Sequence, residues 1–380
     1  MGSASLFPLG AKRLVRCQKR KLTLESSVGL VEIETDYGQE RGGGRWLCPQ
    51  REAWAIAAHQ KMTPALQERL CFTVIETGSY ESAARVATKW GCRVDDSKLH
   101  ALAQRAGAKA EEQAQERIKT VPQERRPQRQ ASELGVLLVD GWQVRQRGPG
   151  WGARKTPQSR VEWHEMKMGV YYQIEQAARQ TNGRGELAEK VVVSTLEDAV
   201  ELGQRLNWEA MRAGLGRAKN LEMLGDGAAW IWNLKDNRWQ RAVEVLDFYH
   251  GSEHVWALGR ALQGEEKAKD WTEPLLHQIR HGKEKKALRQ IAGLRGCKGE
   301  PAEVVRREQN YFAGQEHRMS YARIAARGWP IGSGAVESAC RQRQCRFKRP
   351  GQFWTKRGLR NLCALQEASH NHHWQELWER

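Results

Sequence analysis

Apolar positions in this chain follow two rhythms. Between residues 63 and 106 they recur at helical spacing, and from residue 135 they gather into short runs that stop at acidic residues. Thr63 can cap a helix with Pro64 at its first position, and Leu66, Leu70, Val74 and Ile75 mark its inner face before Gly78 ends it. Ser79 caps a second helix carrying Ala83, Ala84, Val86 and Ala87. Gly91 breaks that helix, and Asp95 or Asp96 opens a third with Leu99 and Leu102 inside. This predicts a helix-turn-helix-like domain over 61–118, whose third helix offers Lys98 and Arg105 to DNA; a plain helical bundle has the same pattern. Upstream, residues 1–60 read as a β-rich segment with alternation over 28–35 and a glycine loop at 42–44. Residues 107–133 hold almost no large apolar groups, so a helix leaving the bundle and then a linker over 119–133 are expected.

The second rhythm predicts strands. Residues 136–139 form a continuous apolar run ending at Asp140-Gly141, as a buried strand does. Residues 163–172 alternate, 190–195 are rich in β-branched residues, 221–225 end at Asp226-Gly227, and 243–246 end at Asp247. Ser194 and Glu197 suggest a capping box opening a helix that runs to about residue 218. Residues 252–328 are helical and charged, and Glu337 lies at the start of another helix. The expected architecture is an α/β core over 134–251, a helical insertion over 252–328, and a return to the core over 329–380.

Composition adds a partner. A formal charge of +17 on 380 residues favours a polyanion, and nucleic acid is the commonest one. The 16 Trp serve core packing or base stacking. No run is apolar enough to span a bilayer and the N-terminus has no apolar signal core, so a cytoplasmic, nucleoid-associated protein with no membrane partner is expected. The 8 Cys include no CxxC pair, which argues against a zinc ribbon and for reduced, mostly buried thiols. His370, His372 and His373 read as a polar tail.

The chemistry lies in three carboxylates. Asp140 and Asp226 each end an apolar run and precede a glycine, which permits close approach of a substrate backbone. Glu337 precedes a cationic stretch containing Arg341, Arg343, Arg346, Lys348, Arg349, Lys356 and Arg357, with Trp354 among them to stack a base or pack under the helix. Singly, a strand-end Asp is usually a turn former, and a Glu at a helix start answers the dipole. Together they suit hard divalent cations, magnesium or manganese, and two such ions support in-line displacement at phosphorus. His250 and His254 share a helix face, as buried hydrogen-bonded residues or a zinc pair, and Asp247 with His250 is a candidate support for the site. Glu165 and Lys167 have no chemical role legible in the sequence and read equally as a cross-strand charge pair.

Four blocks in order carry a family resemblance. They are Val139-Asp140-Gly141 with residues 163–172, residues 225–233 around Asp226, residues 247–256 from Asp247 through His250 and His254, and residues 330–354 around Glu337. Together they resemble the ISKra-type insertion-sequence transposases over about residues 135–365. The resemblance implies a ribonuclease H-like fold with a helical insertion, a DDE triad of Asp140, Asp226 and Glu337 holding two metal ions, and DNA cleavage with transfer of 3′ ends. It also implies DNA partners, both terminal inverted repeats and target, and a homodimer or larger assembly when two ends are joined. A nuclease of the same fold that never joins ends, and a domesticated DNA- or RNA-binding protein, are the alternatives.

Overall fold

The computed structural model describes residues 14–40, 44, 46–54, 56, 60–125, 131–152, 161–179, 185–295 and 298–379. Their contacts divide the chain into two units, residues 1–111 with 361–380, and residues 112–360.

The first unit opens with a long antiparallel ribbon, β1 (Leu14–Ser26) and β2 (Gly29–Glu40), to which the short β3 (Trp46–Leu47) adds. The sequence suggests short strands here; alternation with opposed charges, such as Lys19 against Asp36 at 2.8 Å, keeps the ribbon paired along its length. After α1 (Pro49–Ala53), the caps act as expected. Thr63 accepts from the Leu66 N–H at the start of α2 (Pro64–Glu76), and Ser79 from the Ser82 N–H at the start of α3 (Tyr80–Lys89). Asp95 accepts from the Lys98 N–H at 2.6 Å, opening α4 (Asp96–Arg117). Leu66, Leu70, Val74, Ala83, Ala87, Leu99 and Leu102 are all buried.

The second unit is built on a five-stranded mixed sheet. Its strands are β4 (Leu134–Arg147), β5 (Val161–Gln173), β8 (Val191–Thr195), β9 (Asn220–Gly225) and β10 (Val243–Leu246), with the hairpin β6 (Ala177–Arg179) and β7 (Gly185–Leu187) beside it. The order is β10-β9-β4-β5-β8, with β5 antiparallel to both β4 and β8, and β9 parallel to both β4 and β10. Leu134–Val139 is buried throughout, which explains the unbroken apolar run of a central strand. The strand does not stop at Asp140. It continues to Arg147 with alternate residues buried, because residues 161–167 of β5 pair with it in unbroken register.

Helix α5 (Ala199–Arg212) and α6 (Ala229–Arg238) close one face over a core of Leu137, Val139, Tyr171, Val193, Leu206 and Ile231. The capping box expected at Ser194 is not used: Ser194 is buried within β8, and Asp198 caps α5 by accepting from the Glu201 N–H at 2.9 Å. After β10 come the helices α7 (Phe248–Arg280), broken at Gly264, α8 (Glu284–Ala292), α9 (Glu300–Ala313) and α10 (Tyr321–Ala326), matching the helical stretch expected there. Helix α11 (Gly334–Phe347) then returns to pack on β4 and β5.

The chain ends in α12 (Lys356–His370) and α13 (Trp374–Trp378). Residues 361–380, grouped by sequence with the segment from 329, belong to the first unit. Asn361 donates to Gln104, Trp374 donates to Glu68 at 3.1 Å and packs edge-on to Phe72, and Lys109 donates to the Leu377 carbonyl. His370 and His372 are exposed, as expected of a polar tail, but His373 is buried with Nδ1 2.8 Å from Glu376. The described cysteines are thiols outside any disulfide; Cys71, Cys340 and Cys363 are buried, Cys17 and Cys345 are exposed, and Cys297 lies outside the described residues.

One buried acid sits in the middle of the sheet. Glu222 on β9 is fully enclosed, neither carboxyl oxygen has a partner among the described residues, and burial pushes its pKa from 4.5 to about 9. The folded state therefore holds a proton that the unfolded chain releases. This group's contribution to stability is complete below pH 4.5 and lost as pH rises toward 9, at up to about 1.4 kcal/mol per pH unit. Denaturant titrations from pH 5 to 9 should show Glu222→Gln with a flatter decline than the parent; parallel curves would refute the assignment.

Candidate active site

Asp140 sits on β4 where the apolar run gives way to alternation, and it is half-buried. Its Oδ1 accepts from the Gly141 N–H at 2.7 Å, and the buried Cys340 thiol of α11 is a second hydrogen-bonding neighbour. Burial raises the Asp140 pKa, the two hydrogen bonds lower it, and the negative charges of Asp226 and Glu337 raise it further. The same surroundings raise the Cys340 thiol, burial first and Asp140 next.

Asp226 lies in the turn from β9 to α6. Its Oδ1 accepts from the Ala228 N–H at 2.9 Å, and its carbonyl accepts from the Tyr311 hydroxyl of α9 at 2.8 Å. Gly227 has φ +99°, and a Cβ there would press on Tyr311, so this turn requires glycine. Glu337 is exposed in the first turn of α11, and its Oε1 accepts from the Ser333 hydroxyl at 2.6 Å. The fold thus brings Asp140 within electrostatic reach of both other carboxylates. Among the described residues no three His, Cys, Asp or Glu side chains are gathered closely enough to enclose a metal ion. The three carboxylates offer hard oxygen donors, the ligand type a magnesium-like cation takes, and their hydrogen-bond partners are backbone N–H groups, a thiol and a hydroxyl.

Asp247 holds this arrangement together. It is buried and caps α7, with Oδ1 accepting from the His250 N–H at 2.5 Å and Oδ2 accepting from the Ser333 N–H. Its own N–H donates to the Gly225 carbonyl at 2.8 Å, and the Phe248 N–H donates to the Ile331 carbonyl at 2.9 Å. The residue before Asp226 and the residue that bonds Glu337 are therefore tied to one side chain and its backbone.

The two histidines belong to a second network. His254 stacks on Tyr311 with ring centres 3.6 Å apart, and its Nδ1 lies 2.5 Å from the buried Glu308 carboxylate, which also pairs with Arg307. Its Nε2 lies 3.3 Å from Nε2 of His250. Glu308, His254 and Tyr311 form a chain from the helical block to the Asp226 carbonyl. Glu165 and Lys167 pair with each other along one strand at 2.5 Å, rather than across strands, and the Glu165 carboxylate fills the space beside Gly141. Lys167 lies over the Trp230 ring at 5.6 Å.

The cationic stretch divides by burial. Arg343 and Arg346 are inside the fold, whereas Arg341, Lys348, Arg349, Lys356 and Arg357 are exposed, with Lys356 paired to Glu197 at 2.7 Å. Trp354 is half-buried, packs edge-on to Phe347 and donates to the Phe347 carbonyl at 2.8 Å. In the first unit Lys98 and Arg105 are exposed, Lys98 lying 3.4 Å from Glu25. Sequence reasoning missed Ser333, Cys340, Glu308 and Tyr311. The spacing of Ser333 and Cys340 to Glu337, four before and three after, put all three on one helix face and was a readable signal. Glu308 and Tyr311 carried none, because their partners are distant in sequence.

The model of the uncharacterised protein family UPF0236 matches residues 10–377. The chain belongs to that family. A comparison with curated proteins gave no match. Among solved structures, a Drosophila P element transposase strand transfer complex is similar over 74% of this chain and 64% of that chain, at 11% identity and a TM-score of 0.26. That likeness is too distant to carry fold or activity across. Among the described residues no helix is long and apolar enough to cross a membrane.

Asp247→Ala leaves two backbone N–H groups without their charged acceptor, and should cost about 3–5 kcal/mol. Tyr311→Phe removes one neutral hydrogen bond and should cost about 1 kcal/mol. Urea denaturation checks the ranking, and equal losses would overturn it.

Proposed function

We propose that this protein is a metal-dependent DNA-cleaving and strand-transferring enzyme, a DDE transposase with a ribonuclease H-like core. The observation that carries the reading is the convergence of three carboxylates, with the charges of Asp226 and Glu337 both acting on Asp140, in a chain of net charge +17. Carboxylate oxygens brought together in this way are the donor type a shared divalent cation takes. An antiparallel trio of strands extended by two parallel ones, with Asp140 on the first strand and Asp226 after the fourth, fits the ribonuclease H-like arrangement. The blocks that resemble the ISKra-type transposases include the same residues.

Asp140, Asp226 and Glu337 would hold two magnesium or manganese ions together with phosphate oxygens of the substrate, since magnesium is commonly held by one or two carboxylates and substrate oxygens. Such ions, when bound, would supply activation of a water or 3′-hydroxyl and positive charge for the leaving oxygen. The protein's own residues supply position. Tyr311 and Gly227 fix the Asp226 turn, Ser333 orients Glu337, and the Gly141 N–H and Cys340 orient Asp140. The exposed cations after Glu337 give the phosphate backbone a path past the carboxylates. Joining two DNA ends requires two copies, so the active assembly is a homodimer or larger.

Asp140→Asn, Asp226→Asn and Glu337→Gln should each abolish magnesium-dependent nicking and joining, and weaken Mn²⁺ binding by calorimetry, while retaining DNA affinity. Strand transfer retained in any one removes that residue from the set. Joined products from pre-cut ends separate a transposase from a nuclease that only hydrolyses. Replacing Arg341, Lys348 and Arg349 together with Gln should reduce the slope of log affinity against log salt by roughly 2–3. An unchanged slope would place the DNA path elsewhere.

A further inference from the structure

We propose that the outer end of the β4–β5 hairpin is a stacking platform for one unpaired base of a DNA strand, with Trp163 as its surface. The inference rests on the DNA-processing reading above and adds a contact that neither the triad nor the cationic stretch supplies. Of the 16 tryptophans, Trp163 is the most exposed, at 55%. Leaving that much indole in water forgoes burial, so its setting matters. Trp163 stands directly opposite Arg145 in the hairpin register, and the Arg145 guanidinium lies 5.9 Å from its ring centre. The Lys348 ammonium lies 5.8 Å from the same ring.

The frame is rigid. Arg145 donates to the Arg349 carbonyl at 2.6 Å and lies over Phe353 at 5.2 Å. Arg147, next along the same face, donates to the Phe353 carbonyl at 3.0 Å. These bonds fasten the segment after α11 to the hairpin, and Trp354 adds a backbone bridge, its carbonyl accepting from the Arg147 N–H at 2.8 Å. A half-exposed aromatic ring with an anchored Arg145 and an exposed Lys348 beside it matches the two recognition needs of a single strand, a π-face for a base and positive charge for the adjoining phosphates. In a duplex the base faces are already stacked, which selects an unpaired strand. Arg145 is five positions from Asp140 along β4, about 17 Å, and alternation puts it on the opposite face of the strand. The stacked base is therefore a flanking nucleotide and not the reacting one.

The test compares binding of an oligo-dT strand and of a duplex to the full chain at several salt concentrations. Trp163→Ala should weaken oligo-dT binding roughly ten-fold or more with an unchanged salt slope, and Trp163→Phe should restore most of the loss. Lys348→Gln should instead lower the slope by roughly 0.7. Thermal melting accompanies each variant. Oligo-dT affinity unaltered by Trp163→Ala, no oligo-dT binding by the parent, or equal losses for duplex and single strand would each overturn the platform. If the parent binds oligo-dT through Trp163 yet neither nicks nor joins DNA with magnesium, the platform stands and the enzymatic reading falls.

Discussion

The arrangement of the second unit depends on one buried carboxylate. Asp247 receives backbone N–H groups from His250 and Ser333, while its own N–H bonds the Gly225 carbonyl. A buried carboxylate persists when its lone pairs are met, and here backbone donors meet them without a cation. Three chain segments far apart in sequence are fixed at one point. Asp226 follows the first by one residue, and Glu337 lies one helical turn beyond the third. Asp140 is supplied independently by the central strand, so the geometry of the three carboxylates reduces to how β4 sits relative to this junction.

Charge is sorted rather than neutralised. The chain carries 62 Lys and Arg, and many are engaged in the fold, as Arg205 is with Glu201 and Arg318 is with Glu244. The hydrogen-bond partners of Asp140, Asp226 and Glu337 are instead backbone N–H groups, a thiol and a hydroxyl. Arg343 and Arg346 share α11 with Glu337 yet turn inward, and Arg341 and Lys348 stay outside. A helix that reads as uniformly cationic thus presents only part of that charge to an anion.

Much of the fold was legible because its signals are local. Thr63 and Ser79 cap where the helical pattern begins, and the unbroken apolar run before Asp140 is what a strand buried on both faces requires. The extension of β4 beyond Asp140 was hidden, because Gln143, Arg145 and Arg147 look like loop residues until β5 is laid beside them. The helix expected from Ser194 begins five residues later because the β-branched run before it continues as strand. Asp140 and Asp226 could be singled out from their matching contexts, each before a glycine at the end of an apolar run, and Glu337 from the cationic stretch that follows it. Their supports could not: Tyr311 reaches the Asp226 carbonyl from 85 residues away, a pairing no local pattern encodes.

The helical block between β10 and α11 enters at Phe248 and leaves at Ile331, and these two residues are hydrogen-bonded to each other. In polymer terms the block is a loop already closed at its neck. Doubling the length of such a loop adds only about 0.6 kcal/mol of closure entropy. Material can therefore be inserted or deleted within it while the neck, and Glu337 beyond it, hold their place. Tyr311 of α9 and Gln315 just beyond it bond the Asp226–Gly227 turn, and Arg318 pairs with Glu244 of β10, so this part of the block is bound to a fixed position. The rest of the block is where chains sharing this plan have room to diverge in length.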